Sequence, residues 1–232
     1  MLNRVTVFLR VPLTPVPSTR TTADLMIDYT HRQKALAYLL AGVAGYVDAM
    51  GFRHLGGVFV SFMSGNTTRL GVDIATGDWL TAGEIAGILM VFIAGAALGA
   101  LIGRDGRRDR RAALLWTEAG LLAVAALSEH LPLAILGSIA MALAMGLENA
   151  VFQRDGGPGI ALTYVTGALV KVGHRLAAAL LGGDKWGWVA SLLLWASLCL
   201  GAVLGAVAYG LFGLAGLWIA CVVVGILAAA AH

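Results

Sequence analysis

Charge is scarce in this chain: Asp, Glu, Lys and Arg make up 12% of 232 residues, where a soluble domain carries about a quarter. Together with 59% hydrophobic residues and a mean hydropathy of +0.84, that scarcity excludes an ordinary soluble domain and fits an integral membrane protein. Cysteine is nearly absent. Cys199 and Cys221 both fall inside apolar runs, so a disulfide framework and a thiolate metal site are excluded, and buried free thiols are expected. No cofactor and no metal are expected. A GxxxxGK[ST] loop is missing, so any transport would run on gradients rather than nucleotide hydrolysis. Neither GxSxG nor HExxH occurs, which leaves Ser61, Ser64, His54 and Asp48 without a motif to join them in catalysis and makes an enzyme the least favoured class.

The first 33 residues lack a continuous apolar core, and they carry Arg4, Arg10, Arg20, Pro12, Pro15 and Pro17. A signal peptide is not expected; a flexible cytoplasmic tail over 1–33, followed by one transmembrane domain over 34–232, is. The net charge of +3 reflects Arg in cytoplasmic loops rather than contact with nucleic acid.

Apolar windows of about 20 residues place eight segments. The first four are A (Ala35 to Phe52), B (Phe59 to Ala75), C (Leu80 to Gly103) and D (Ala112 to Leu127). The second four are A′ (Leu133 to Phe152), B′ (Ile160 to Leu181), C′ (Trp188 to Phe212) and D′ (Leu214 to Ala231). The stretch from Trp188 onward would be about 65 Å long as one helix, twice a bilayer, so a turn is expected near Gly213. The 31 glycines, with Gly95, Gly99 and Gly103 answered by Gly201 and Gly205, point to close helix packing.

Segments B and B′ resemble each other. SFMSG-NTTRLG aligns with TYVTG-ALVKVG, pairing Ser64 with Thr166, Gly65 with Gly167, Arg69 with Lys171 and Gly71 with Gly173. The repeat divides the domain into about 34–130 and 131–232. The runs before each glycine, VFVSFM and IALTYV, are β-branched or aromatic and predict extended stretches, with Ser64 and Thr166 as N-caps of half-helices. Arg104, Arg107, Arg108, Arg110 and Arg111 put the C to D loop in the cytoplasm, and Arg32 and Lys34 put the start of A there too. Both hold if B enters and leaves on one face. The expected fold is therefore an all-α polytopic membrane protein of two inverted repeats, about six full helices plus two re-entrant elements, with both termini cytoplasmic.

Two half-helix N-termini meeting near the midplane would suit a small anionic or polar solute. Its expected binding residues are Ser61, Ser64, Gly65, Asn66, Thr67, Arg69, Tyr164, Thr166, Gly167 and Lys171. Alignment of Gly45 with Gly146 sets Asp48 over Asn149, one residue from Glu148. These three are expected either to couple transport to a proton or cation, or to form a structural ion pair, with Arg69 and Lys171 as the candidate partners. Glu118 in D is a further intramembrane acid, expected to be paired and assigned no role.

At GYVDAMGF, GGVFVSFMSGNTTRLG, AMGLENAVF and TYVTGALVKVG the chain resembles the YoaK family of bacterial inner-membrane proteins, a domain of unknown function, over roughly residues 35–230. The resemblance implies the compartment and a helical membrane fold, and no substrate. A looser architectural likeness links B and B′ to the strand and half-helix pairs of sulfate and nucleobase transporters. This chain has no room for their separate gate domain, so a moving scaffold would come from a homodimer partner or from C and D. A secondary transporter, a channel and a non-transporting structural protein remain open.

Overall fold

The computed structural model describes residues 30–103, 110–130, 134–152 and 165–231. The N-terminal tail, most of the basic C to D loop, and the stretch before B′ including Tyr164 lie outside the described residues. Eight α-helical segments follow one another: α1 (His31–His54), α2 (Met63–Thr76), α3 (Trp79–Ile102), α4 (Arg110–Leu127), α5 (Ala134–Glu148), α6 (Val165–Leu180), α7 (Val189–Phe212) and α8 (Leu217–Ala230). No strand occurs among the described residues. Three helical stretches among them are long and apolar enough to cross a membrane: His31–His54, Trp79–Ile102 and Val189–Ala230.

Local chemistry sets the helix limits. α1 begins earlier than the apolar run does, because the Thr30 side chain accepts from the Gln33 N–H while the Gln33 side chain accepts from Thr30. This reciprocal cap satisfies donors that a helix start leaves open. At the other end of α1, Gly56 and Gly57 have φ of +61° and +103°, a region that L side chains avoid. α2 ends on Gly77 in the left-handed conformation, and Asp78 then caps α3 by accepting from the Thr81 N–H. The Thr81 side chain and N–H hold the Asp78 carboxyl below the usual carboxylate range. The expected break near Gly213 is present: its φ is +58°, a 3-10 turn spans Gly213–Gly216, and Glu129 Oε2 accepts from the Ala215 N–H at 2.6 Å.

Helices pack mainly across the two halves of the chain. α1 lies on α7, and α5 lies on α3, each pair at backbone contact through glycine. A methyl group on Gly45 would strike the Leu198 carbonyl, on Gly201 that of Gly42, and on Gly205 that of Tyr46. In the other pair, Gly95 faces the Leu143 carbonyl, Gly99 faces Leu147, and Gly146 faces the Phe92 carbonyl. Small residues permit this proximity, and dispersion rather than water exclusion rewards it in lipid. Several further pairs recur in both halves: α2 packs on α3 as α6 packs on α7, and α4 packs on α5 as α8 packs on α1; α4 also packs on α8. Tyr46 donates to the Gly216 carbonyl at 2.7 Å and ties α1 to the last turn.

The outer surface is apolar. On α7, Leu200, Val203, Leu204, Val207 and Leu211 are exposed along one face, a stripe suited to acyl chains. Trp79 and Trp186 are exposed just beyond the ends of α2 and α6. Each follows a glycine with positive φ (Gly77, Gly182) and an Asp that binds a nearby N–H, Asp78 to Thr81 and Asp184 to Trp186. The motif Gly-Asp-(x)-Trp thus repeats, and Trp at such positions suits the lipid headgroup level.

Candidate functional site

Between α1 and α2 the chain is non-helical over residues 58–62, and two side chains hold it there. Asp48 Oδ1 accepts from the N–H groups of Val60 and Ser61 at 2.8 and 2.7 Å. Asn66 Oδ1 accepts from the Phe59 N–H at 2.9 Å, and its Nδ2 donates to the Phe59 carbonyl at 2.7 Å. Asn66 is fully buried and binds both backbone groups of Phe59, as a neighbouring strand would. Val58, Val60 and Ser61 are buried as well. Val60 lies over Gly51, where an added methyl group would come within 2.7 Å of it. Phe59 packs between Phe52 and Phe62, tilted against the first and edge-on to the second, with ring centroids at 4.6 and 5.2 Å. Backbone polar groups without a helical partner are thereby satisfied by side chains.

The helix that follows starts one residue before Ser64. Phe62 is the N-cap of α2 and makes no side-chain cap bond, so Ser64 lies in the first turn, exposed, and is not the cap. Thr166 also lies inside a helix, α6, whose described residues begin at Val165. Neither expected residue is therefore a cap, and at α2 the β-branched and aromatic residues before Ser64 do not prevent the first turn from closing on Phe62: its carbonyl accepts from Gly65 and Asn66 N–H. Thr67 and Thr68 give their hydroxyl protons to the Met63 and Ser64 carbonyls within α2.

Of the expected binding residues, Ser61, Ser64, Gly65, Asn66, Thr67 and Arg69 gather at the start of α2, and Thr166, Gly167 and Lys171 lie on α6. α2 and α6 are not among the closely packed helix pairs of the described residues; each lies against its own long helix. Arg69 does not meet Asp48. Its Nε is 3.7 Å from Asp73 Oδ2, one turn on, and its guanidinium donates to the Gly56 carbonyl. A helical i,i+4 pair and a nearby carbonyl are within easier reach than a side chain on α1. Asn149 donates to the Met145 carbonyl one turn back.

Glu148 and Glu118 were not expected together. Both are fully buried, on the packed helices α5 and α4, and none of their four carboxyl oxygens has a hydrogen-bond partner. Only a register between helices could have joined them, since they lie 30 positions apart in sequence.

The family model described as "Protein of unknown function (DUF1275)" matches residues 36–230. The UPF0700 transmembrane protein RA0705 of Rhizobium meliloti (strain 1021) is 38% identical over 197 residues, covering 85% of each chain. The UPF0700 transmembrane protein YoaK of Bacillus subtilis (strain 168) is 32% identical over 148 residues, 60% of this chain and 65% of its own. No solved structure matches. The helices long and apolar enough to cross a bilayer, the broken segment between α1 and α2 and these matches agree: this chain is a transmembrane protein of the DUF1275 family, and YoaK is among its relatives.

Proposed function

We propose that this protein is a gradient-driven secondary transporter of a small anionic or polar solute, bound beside the N-termini of α2 and α6 near the bilayer midplane. One observation carries the reading: a non-helical stretch whose backbone is held by half-buried Asp48 and fully buried Asn66 runs directly into the start of α2. Broken helices of this kind build solute sites in transporters, with helix N-termini turned towards substrate. The exchange of packing partners between the halves supports an inverted repeat of six crossings and two re-entrant elements. The exposed tryptophans that close α2 and α6 support interfacial ends for both.

In this reading Ser64 and Thr67, with Thr166 and Tyr164, select the solute, and Arg69 and Lys171 attract its charge. Asp48 acts as a holder of the broken segment, which leaves Glu148 as the coupling acid. Both termini face the cytoplasm across a bacterial inner membrane, no chemistry is catalysed, and the moving unit is set against the rest by a homodimer partner or by α3 and α4. A second reading, a structural membrane protein that carries nothing, draws support from the engagement of Asp48 and Asn66 with backbone and of Arg69 with Asp73.

The test is thermal unfolding of the detergent-purified protein across a panel of inorganic anions, carboxylates, nucleobases and sugars, with Arg69→Ala beside it. A ligand of the folded state raises the midpoint. A rise confined to one chemical class and absent from Arg69→Ala is expected; no rise with any solute refutes the transport reading and favours the structural one.

A further inference from the structure

We infer that Glu118 and Glu148 form a proton-binding site inside the helix bundle, a carboxyl pair that retains at least one proton when the protein is folded at neutral pH. Both side chains are wholly enclosed, and all four oxygens lack a hydrogen-bond partner. The two stand on helices packed directly against each other, α4 on α5. Two bare carboxylates cannot share such a place, because burial without a partner and like charge both act against the second ionisation.

What surrounds the pair favours a proton over a metal cation. Leu114, Leu115, Leu122, Met145 and Leu147 are fully buried on the same two helices, and a bare cation would need several oxygen ligands. No group of three or more His, Cys, Asp or Glu able to hold a metal occurs among the described residues. The other titratable groups on the helices packed here are committed elsewhere or stand in the open. On α8, Cys221 donates to the Ala119 carbonyl. On α4, Arg110 donates to the Ala150 carbonyl and Arg111 lies over the Phe152 ring. On α1, Asp48 holds Val60 and Ser61, Tyr46 binds Gly216, Arg53 binds Ala206, and His54 meets Tyr209. Tyr38 lines an apolar groove, and His31, Arg32 and Lys34 stand at the start of α1. Glu84 on α3 is exposed.

A proton needs no coordination shell, can be shared between two carboxyls, and leaves when one of them meets water. The site itself rests on burial and missing partners; its use as the coupling group rests on the transport reading.

Infrared difference spectra of the purified full-length protein, in H2O and D2O, read it directly. A protonated-carboxyl C=O band is expected at neutral pH, downshifted in D2O, lost in Glu118→Gln with Glu148→Gln, and unchanged in Asp48→Asn. Its absence from the wild type, or its survival in the double variant, overturns the inference. Should the double variant not fold, each single Gln variant must shift or abolish the band, and both leaving it unaltered overturns the inference equally. A sodium-dependent rise in unfolding midpoint that the Gln variants lose would also overturn it, since the pair would then hold a metal cation. Lack of solute-dependent stabilisation with the band in place sinks the transport reading and keeps the proton site.

Discussion

Asn66→Ala removes one side chain and breaks two bonds at once. The Phe59 N–H and carbonyl, held by Asn66 at 2.9 and 2.7 Å, lose their partner in a place that water does not readily reach, since Asn66 is fully buried. Each orphaned polar group costs about 1–3 kcal/mol, so the variant should be about 2–6 kcal/mol less stable. For a chain of this length a loss of 1 kcal/mol moves the midpoint by about 2–4 °C, which predicts a fall of about 4–24 °C in detergent. Tryptophan fluorescence reports the midpoint, and hydrogen exchange at residues 58–62 reports the place. Thr67→Ala is the control: its hydroxyl is exposed and bonds only a carbonyl of its own helix, so a change within about 0.5 kcal/mol is expected. A wild-type midpoint in Asn66→Ala, with the Phe59 amide still protected, would refute the idea that side chains hold the broken segment.

Further outcomes follow from other contacts. Gly201→Val should abolish the folded state, because its side chain would enter the Gly42 carbonyl where the helices have no room to part; a monodisperse peak in size-exclusion chromatography would contradict this. Gly71→Ala should instead stabilise by up to about 1 kcal/mol, since nothing lies within 4 Å of the added methyl group; a lower midpoint would show that this face of α2 is covered. Thr30→Ala should cost about 1 kcal/mol through loss of the reciprocal cap with Gln33, seen as faster exchange in the first turn of α1. Glu129→Gln should cost about 1 kcal/mol by weakening its bond to the Ala215 N–H, and equal protease resistance at 213–216 would argue against that role.

Much of the helical plan was legible because lipid demands long apolar runs and proteins break them with glycine. The turn at Gly213 follows from length alone, and the β-branched and aromatic run VFVSFM marks the broken segment. The Thr30 and Gln33 cap is legible as T-x-x-Q, but the apolar run that marks α1 begins only at Ala35. Other features were hidden for physical reasons. A carboxylate can be satisfied by a cation or by amides with equal ease, so composition could not choose between Arg69 and the Val60 and Ser61 N–H groups as partners of Asp48. The meeting of Glu118 with Glu148 depends on the register of α4 against α5, which the sequence periodicity of neither helix records. The glycine spacing announced close packing without saying that α1 would choose α7, and α3 would choose α5.

That choice bears on how the protein is made. Every helix that packs closely on α1 lies in the second half of the chain, and the glycine faces of α1 and α3 are completed only by α7 and α5. While the ribosome is still translating beyond residue 130, the inserted first half has no finished core and must wait in the membrane with these grooves open to lipid or to an insertion chaperone. Assembly is then a late event, triggered when α7 leaves the translocon, and two separately expressed halves should recover the fold only when they are made together.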